Sequence, residues 1–229
     1  MTARLSIIIP TLNEAADIAE RLAVLASLRQ HQVQIIVADG GSNDETKELA
    51  APWVDSVIAA PRGRAAQMNA GAMQASAPAL LFLHADTALP DGAVNLIESA
   101  LRAGVWGRFD IALTGTHRLL RVIAAMMNWR SRLTGIATGD QAIFMRRSVF
   151  DQLGGFAQIA LMEDIEISTR LKKIAAPACI RQRVVSSGRR WEQHGMWRTI
   201  LLMWRLRLAY CLGADPRDLA LQYGYLPPS

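Results

Sequence analysis

The sequence predicts an α/β fold, a mostly parallel sheet with helices on both of its faces. Two observations carry that expectation. Through the first hundred residues, short apolar runs rich in Val and Ile alternate with segments whose apolar residues recur at helical spacing. Three of those runs end in polar or acidic residues, as strands do when their carboxyl ends form a ligand-binding rim.

The first run, 5–9, is continuous and β-branched and meets a turn at Pro10, as a strand buried on both faces would. Asn13 is placed to cap the helix that follows, where Ile18, Leu22, Leu25 and Leu28 share a face. The second strand, 33–38, feeds the glycine-rich loop DGGSNDET and another helix, for which Asp44 reads as a cap. Strands over 54–59 and 79–83 follow, with a helix over 64–75 between them, and a helix after Pro90 carries Leu96, Ile97 and Leu101. Beyond residue 100 the alternation loosens. A helix is expected over 116–133, a strand over 141–145, a helix over 162–173 and a strand over 178–185. A long arginine-bearing helix over 193–212 and a shorter one close the chain. No repeat, low-complexity tract or linker divides it, so one domain is expected, organised as 1–100, 101–190 and C-terminal helices over 191–229.

Composition narrows the class. At 229 residues, 51% hydrophobic and 20% charged, the chain can bury one sizeable core. Two cysteines, Cys179 and Cys211, give no disulfide framework and suit a reducing compartment, so a cytoplasmic location is expected. The first apolar run breaks at Pro10, with Asn13 and Glu14 close behind, and does not read as a signal peptide. No stretch reaches the roughly 18 apolar residues of a membrane span. The net charge of +5 is concentrated in the arginines of the second half, which suits phosphate-bearing ligands or an anionic lipid surface. Nucleic acid is not an expected partner, because zinc-finger spacing, aromatic RNA-binding motifs and basic heptads are all missing.

The expected rim collects Pro10, Thr11, Asn13 and Glu14 after the first strand, Asp39 and Gly40 after the second, and His84 and Asp86 after the fourth. Any one of these alone reads equally well as a loop or capping residue. Asp39 is harder to explain that way, because it follows a buried strand directly and precedes two glycines that let a ligand approach. The first strand is followed by PTLNE rather than a dinucleotide fingerprint, and no Gly-Lys-Ser/Thr phosphate loop occurs. A nucleotide here would be held by side chains and a metal.

SIIIPTLNE, VADGGSNDET, RGRAAQMNAGA, FLHADT and MEDIEISTRLKK occur in the order and spacing of the family 2 glycosyltransferases with the GT-A fold, and the chain resembles that family from about Leu5 to Leu171. Its tail, SSGRRWEQHG with the hydrophobic helix and LGADP, is similar to a small branch associated with arsenosugar biosynthesis and radical-SAM neighbours. The resemblance implies that residues 1–100 bind a nucleotide-sugar, a UDP-sugar by family habit, and that 101–190 bind a hydroxyl acceptor. It implies that Thr11 and Glu14 line the nucleotide pocket, that Asp39 accepts from the base and that Arg64 lies beside the base or phosphates. Asp86 would be the second carboxylate of the Asp-x-Asp motif and hold a divalent cation, Mn2+ or Mg2+. Asp164 would be the general base, with Glu163 beside it.

Physical chemistry is consistent with those roles. A hard cation neutralises a departing diphosphate, and a carboxylate must take the acceptor hydroxyl's proton. Glu163 and Asp164 lie about 100° apart on a helix, so one acts as base while the other caps or pairs with an arginine. His84 stands where the family has its first carboxylate. Imidazole prefers transition metals, which favours manganese if His84 is a ligand and leaves a hydrogen-bonding role as the alternative. His194 is a second metal candidate or a capping histidine. Gly139, Asp140, Arg189, Arg190 and Trp191 are expected at the acceptor or diphosphate, with Trp191 as core the plainer reading. The final helix packs on the domain, forms a homodimer contact, or lies on an anionic membrane face. A nucleotidyltransferase and a non-catalytic nucleotide-sugar-binding protein are the rival functions.

Overall fold

The computed structural model describes residues 3–225, and within that span every side chain except those of Arg190, Gln193 and His194. Seven strands form one sheet in the order β3-β2-β1-β4-β6-β5-β7. They are β1 (Leu5–Thr11), β2 (Val33–Asp39), β3 (Ser56–Ala59), β4 (Ala79–Phe82), β5 (Trp106–Thr114), β6 (Ile143–Arg146) and β7 (Ala178–Ser187). β6 runs antiparallel to both its neighbours, β4 and β5, and all other pairings are parallel. The helices are α1 (Ile18–Ala26), α2 (Thr46–Ala50), α3 (Arg64–Gln74), α4 (Ala93–Ala103), α5 (Leu119–Thr134) and α6 (Arg147–Gln152), then α7 (Glu163–Ile174), α8 (Arg189–His194), α9 (Met196–Cys211) and α10 (Pro216–Tyr223). The expected α/β architecture is present.

The two faces of the sheet are written in β1. Successive side chains alternate, so Ile7 and Ile9 pack with Ile18, Leu22 and Leu25 of α1 and with Ile97 and Leu101 of α4. Ile8 points the other way, toward Met68 and Ala72 of α3 and Ile167 and Leu171 of α7. Each such fully buried aliphatic side chain contributes roughly 1.5–3 kcal/mol, and β1 is buried along its whole length.

Strand β5 was not expected from the sequence. Its alternate residues Arg108 and Asp110 are buried and ion-paired with each other, and Arg132 of α5 also reaches Asp110 at 2.7 Å. Its register with β6 holds for two residues only, Trp106 with Met145 and Gly107 with Phe144. Past that point one edge of β5 continues along β7, and the other edge is met by a side chain. The amide of Asn128 accepts from Ile111 N at 2.8 Å and donates to Ile111 O at 3.0 Å, as a neighbouring strand would. Gln141 reaches the same Asn128 at 3.4 Å, so α5 and the turn before β6 share this wedge.

Three expectations are corrected. Asn13 does not cap α1, which starts five residues later. With φ of +56° it instead accepts from Asn43 N and so ties the first loop to the second. The long final helix is two helices, interrupted at Gly195, whose φ of +81° suits glycine. The apolar residues of α9 are not all core. Leu206 is buried with Leu219 and Ala220 of α10, but Trp197, Leu201, Trp204 and Leu208 are more than 60% exposed along one stripe. No helix among the described residues is long and apolar enough to cross a membrane.

Candidate active site

Because β1, β2, β4, β5 and β7 run the same way, their carboxyl ends share one rim. The antiparallel β6 adds its amino end to it, which brings the short turn Gly139–Gln141 to the rim. A paired bridge between Ala88 and Val185 draws the segment after β4 against β7 and sets Asp86 beside Ser186, 3.5 Å from its hydroxyl. A cleft of about 750 Å³ opens there.

One end of the cleft is the strand rim: Pro10, Thr11, Glu14, Arg64, His84 and Asp86. Thr11 is buried, and its Oγ1 has no hydrogen-bond partner among the described residues. Burial raises the pKa of Glu14, and the neighbouring Asp86 carboxylate raises it further. The other end is walled by α5 and α9, with Met126, Arg130, Met203 and Arg207 among its residues. Asp140, Arg189 and Trp191 also line the cleft. Trp191 at the same time packs against Leu120 and Ile123, so its core reading holds together with its place on the wall. Arg189 is largely exposed and lies 3.6 Å from Asp17. The candidates Arg190 and His194 have side chains outside the described residues.

Asp39 is placed otherwise than expected. It is buried, its Oδ2 accepts from Gly41 N at 3.0 Å and Ser42 N at 2.9 Å, and its Oδ1 accepts from the Ser42 hydroxyl. Its carboxylate is occupied by its own loop and does not line the cleft. Gly40 packs so closely on the Gln67 amide that a side chain there would overlap it. Sequence reasoning passed over Gln67, although it lies inside RGRAAQMN. The buried amide donates to Thr11 O at 2.7 Å and Ala38 O at 2.8 Å, and so binds the ends of β1 and β2 together.

The acidic pair lies behind the rim. Glu163 and Asp164 open α7 after Met162, whose φ of +72° is rare for a side-chain-bearing residue. Together with His84, Gly139 and Phe156 they line a void of about 10 Å³. His84 lines both spaces. Its Nδ1 is 3.1 Å from Asp140, and its ring lies against Gly139, where a Cβ would overlap it. Asp164 accepts from Gly139 N at 3.0 Å and from Ile165 N at 2.7 Å. Burial raises the pKa of both acids, and for Glu163 the adjacent Asp164 adds to the rise. Arg64 opposes the rise in each. Desolvation works against the charge on Arg64, but Glu163, Tyr223, Asp140 and Asp164 outweigh it and hold the pKa above the ordinary guanidinium value.

Among the described residues, no three His, Cys, Asp or Glu side chains converge on a cation position. The donor set that is present, Asp86 with Glu14 nearby, is hard and anionic. That fits a cation bound jointly by one or two carboxylates and by substrate phosphates, as Mg2+ commonly is. His84 Nδ1 is engaged by Asp140, a contact compatible with a hydrogen-bonding role and with ligation through the other ring nitrogen alike.

A parallel sheet whose carboxyl rim gathers acids beside a large cleft, extended by an antiparallel strand and C-terminal helices, is the GT-A architecture. Residues 6–154, more than half of the chain, match the model of Glycosyl transferase family 2, and the chain belongs to that family. It is similar to "Probable glycosyltransferase YdaM" of Bacillus subtilis (strain 168), 25% identical over 236 residues that cover 92% of this chain and 55% of YdaM. Among solved structures it resembles S. aureus TarS 1–349 in complex with UDP-GlcNAc, with a TM-score of 0.65, 15% identity, and 80% of this chain and 58% of that one covered. It also resembles the mannosyltransferase PcManGT from Pyrobaculum calidifontis in complex with GDP-Man and Mn2+, with a TM-score of 0.64, 20% identity, and 100% and 67% covered. The chain therefore spans little more than half the length of YdaM and of TarS 1–349. At these identities the two structures speak for the fold.

Proposed function

We propose that the chain transfers a sugar, with inversion, from a nucleoside diphosphate sugar to a hydroxyl acceptor, with UDP as the nucleotide carrier. The observation that carries this reading is a cleft of about 750 Å³ with two unlike ends. One end is polar and acidic at the strand rim, the other apolar and arginine-bearing on α5 and α9, and the acidic pair Glu163–Asp164 stands behind His84 between them. The nucleotide-sugars bound by TarS 1–349 and PcManGT support a donor of that class.

In this reading the donor's nucleoside lies over Pro10, Thr11 and Glu14, and the unpartnered Thr11 Oγ1 bonds to it. Asp86, with Glu14 nearby, would hold a divalent cation at the diphosphate, and that cation would supply charge neutralisation for the leaving group. Arg64 adds a fixed positive charge on the same side. Asp164 takes the acceptor's proton during attack. Its raised pKa suits that work, because a base is most effective when its pKa approaches the working pH. A single base and a single displacement give inversion. Gly139 N and Ile165 N hold the Asp164 carboxylate in place, and Glu163 stays behind it as the neighbouring acid.

Asp140 and Trp191 stand where an acceptor would meet the donor, while the exposed stripe of α9 supports a peripheral contact with a membrane face or a second copy. A non-catalytic nucleotide-sugar-binding protein is the second reading, favoured by His84 in place of a carboxylate. A thermal-shift screen against nucleoside diphosphates and nucleotide-sugars, with and without Mn2+ and Mg2+, tests the proposal. A hundredfold excess over Kd stabilises the native state by about 2.7 kcal/mol. A metal-dependent shift with one nucleotide-sugar, followed by release of its nucleoside diphosphate, is expected. Binding without any turnover across acceptors would favour the second reading, and release of pyrophosphate a nucleotidyltransferase.

A further inference from the structure

The helical wall of the cleft repeats one pattern twice. On α5, Ile123, Met126, Met127 and Arg130 stand at i, i+3, i+4 and i+7, and on α9 Ile200, Met203, Trp204 and Arg207 do the same. All eight line the cleft, so each helix offers an apolar stripe that ends in an arginine. Nε and Nη2 of Arg130 and Nε of Arg207 are shielded from water and have no hydrogen-bond partner among the described residues. Unpaired buried donors of charged groups are costly and uncommon, and two of them on facing walls mark a place for an acceptor atom that a ligand brings. Both walls stand near the acidic pair. Asp164 acts electrostatically on Arg130 and on Tyr210, which follows Arg207 by one turn of α9. At the rim Met126 and Trp204 are about half exposed or more, so an apolar chain lying along the stripes can run out of the cleft.

We infer that the molecule accepting the sugar is an anionic amphiphile, its apolar chain lying on α5 and α9 and its phosphate-class oxyanion held by Arg130 and Arg207. The planar guanidinium fork suits such a group better than an ammonium would. The inference rests on the glycosyl-transfer reading for the ligand's role, though not for its binding.

Titration calorimetry of the whole chain with octyl phosphate, octyl glucoside and inorganic phosphate tests it, in wild type, Arg130→Met and Arg207→Met. UDP is titrated into each as well, and thermal melting shows that each variant is folded. Octyl phosphate is expected to bind wild type at least about tenfold more tightly than either other probe. It is expected to lose at least about tenfold in each variant, the scale of one hydrogen bond to a charged group, with UDP affinity unchanged within about threefold. Failure of octyl phosphate to bind, or equal affinity for octyl glucoside, overturns the proposal. So does equal affinity for inorganic phosphate, which leaves the apolar stripes without a part. A parallel fall in UDP affinity overturns it too, by assigning the arginines to the donor's diphosphate. If UDP and other nucleotides fail on wild type while octyl phosphate behaves as described, the reading that fails is glycosyl transfer.

Discussion

The imidazole of His84 stands 3.1 Å from the carboxylate of Asp140 and lines both the open cleft and the void beside Asp164. Removing the ring in His84→Ala opens the lining that the two spaces share and takes away the imidazole's bond to Asp140. We expect kcat to fall at least tenfold, about the 1.4 kcal/mol of one charged hydrogen bond. His84→Gln, which can still donate to Asp140, is expected to retain more activity than His84→Ala. Steady-state kinetics on the pair decide this, and equal losses would show that the hydrogen bond does not matter.

The acidic pair predicts two pH dependences of opposite sense. Burial raises both pKa values in the folded chain, so the folded state binds more protons than the unfolded one above about pH 4, the ordinary carboxylate range. Their contribution to stability is fully present below that range and is lost as pH rises through the raised values. Glu163→Gln should therefore flatten the fall in Tm with rising pH. Activity runs the other way, because the base must be ionised, and kcat should rise over the same window. Asp164→Asn should remove nearly all turnover at every pH, and activity within a few-fold of wild type would dismiss Asp164 as the base.

Asp86 predicts a metal linkage. In Asp86→Ala the affinity for a nucleoside diphosphate should no longer respond to Mn2+ or Mg2+, while metal-free affinity changes little. Calorimetric titrations with and without a chelator measure both. A variant that keeps its full metal response would move the cation to residues other than Asp86.

The buried ion pair of β5 predicts a stability effect away from the chemistry. Asp110→Asn leaves the fully buried Arg108 without its carboxylate, and breaking such a pair costs about 3–5 kcal/mol. Asn128→Leu removes both bonds to Ile111 and strands a backbone N–H and C=O, each at about 1–3 kcal/mol. Urea denaturation of the two variants gives the values, and a loss under 1 kcal/mol in either would mean that water replaces the missing partner.

Much of the first hundred residues was legible in the sequence because their strands are uninterrupted apolar runs whose ends carry the polar residues. β1, β2 and β4 were expected within two residues of their observed bounds at each end. β5 was hidden because Arg108 and Asp110 break the apolar alternation, and their pairing with each other and with Arg132 makes them tolerable inside a core. Asn13 illustrates a different limit. Its type suits a cap, but a cap must adjoin the first turn, and the chain spends several residues in loop before Ile18. Asp39 and Gln67 divide similarly. A carboxylate at a strand end draws attention, yet its own loop satisfies it, while the amide that joins two strands sits unremarked on a helix. The arginines of the helical wall were visible as charges, but that some of their N–H groups lack partners among the described residues emerges only when α5 and α9 line one cleft.

The two-residue contact between β5 and β6 has a mechanical consequence. The sheet is continuous where Trp106 and Gly107 meet β6 and forked toward the rim, with the Asn128 amide filling the crotch. The block of β5, β7 and α5 is joined to the rest of the sheet by this short pairing and by the Ala88–Val185 bridge beyond the fork, with the Gln141–Asn128 contact between them. None of these joins is a rung between β1, β2 and β4, so the mouth of the cleft and its floor rest on different bonds.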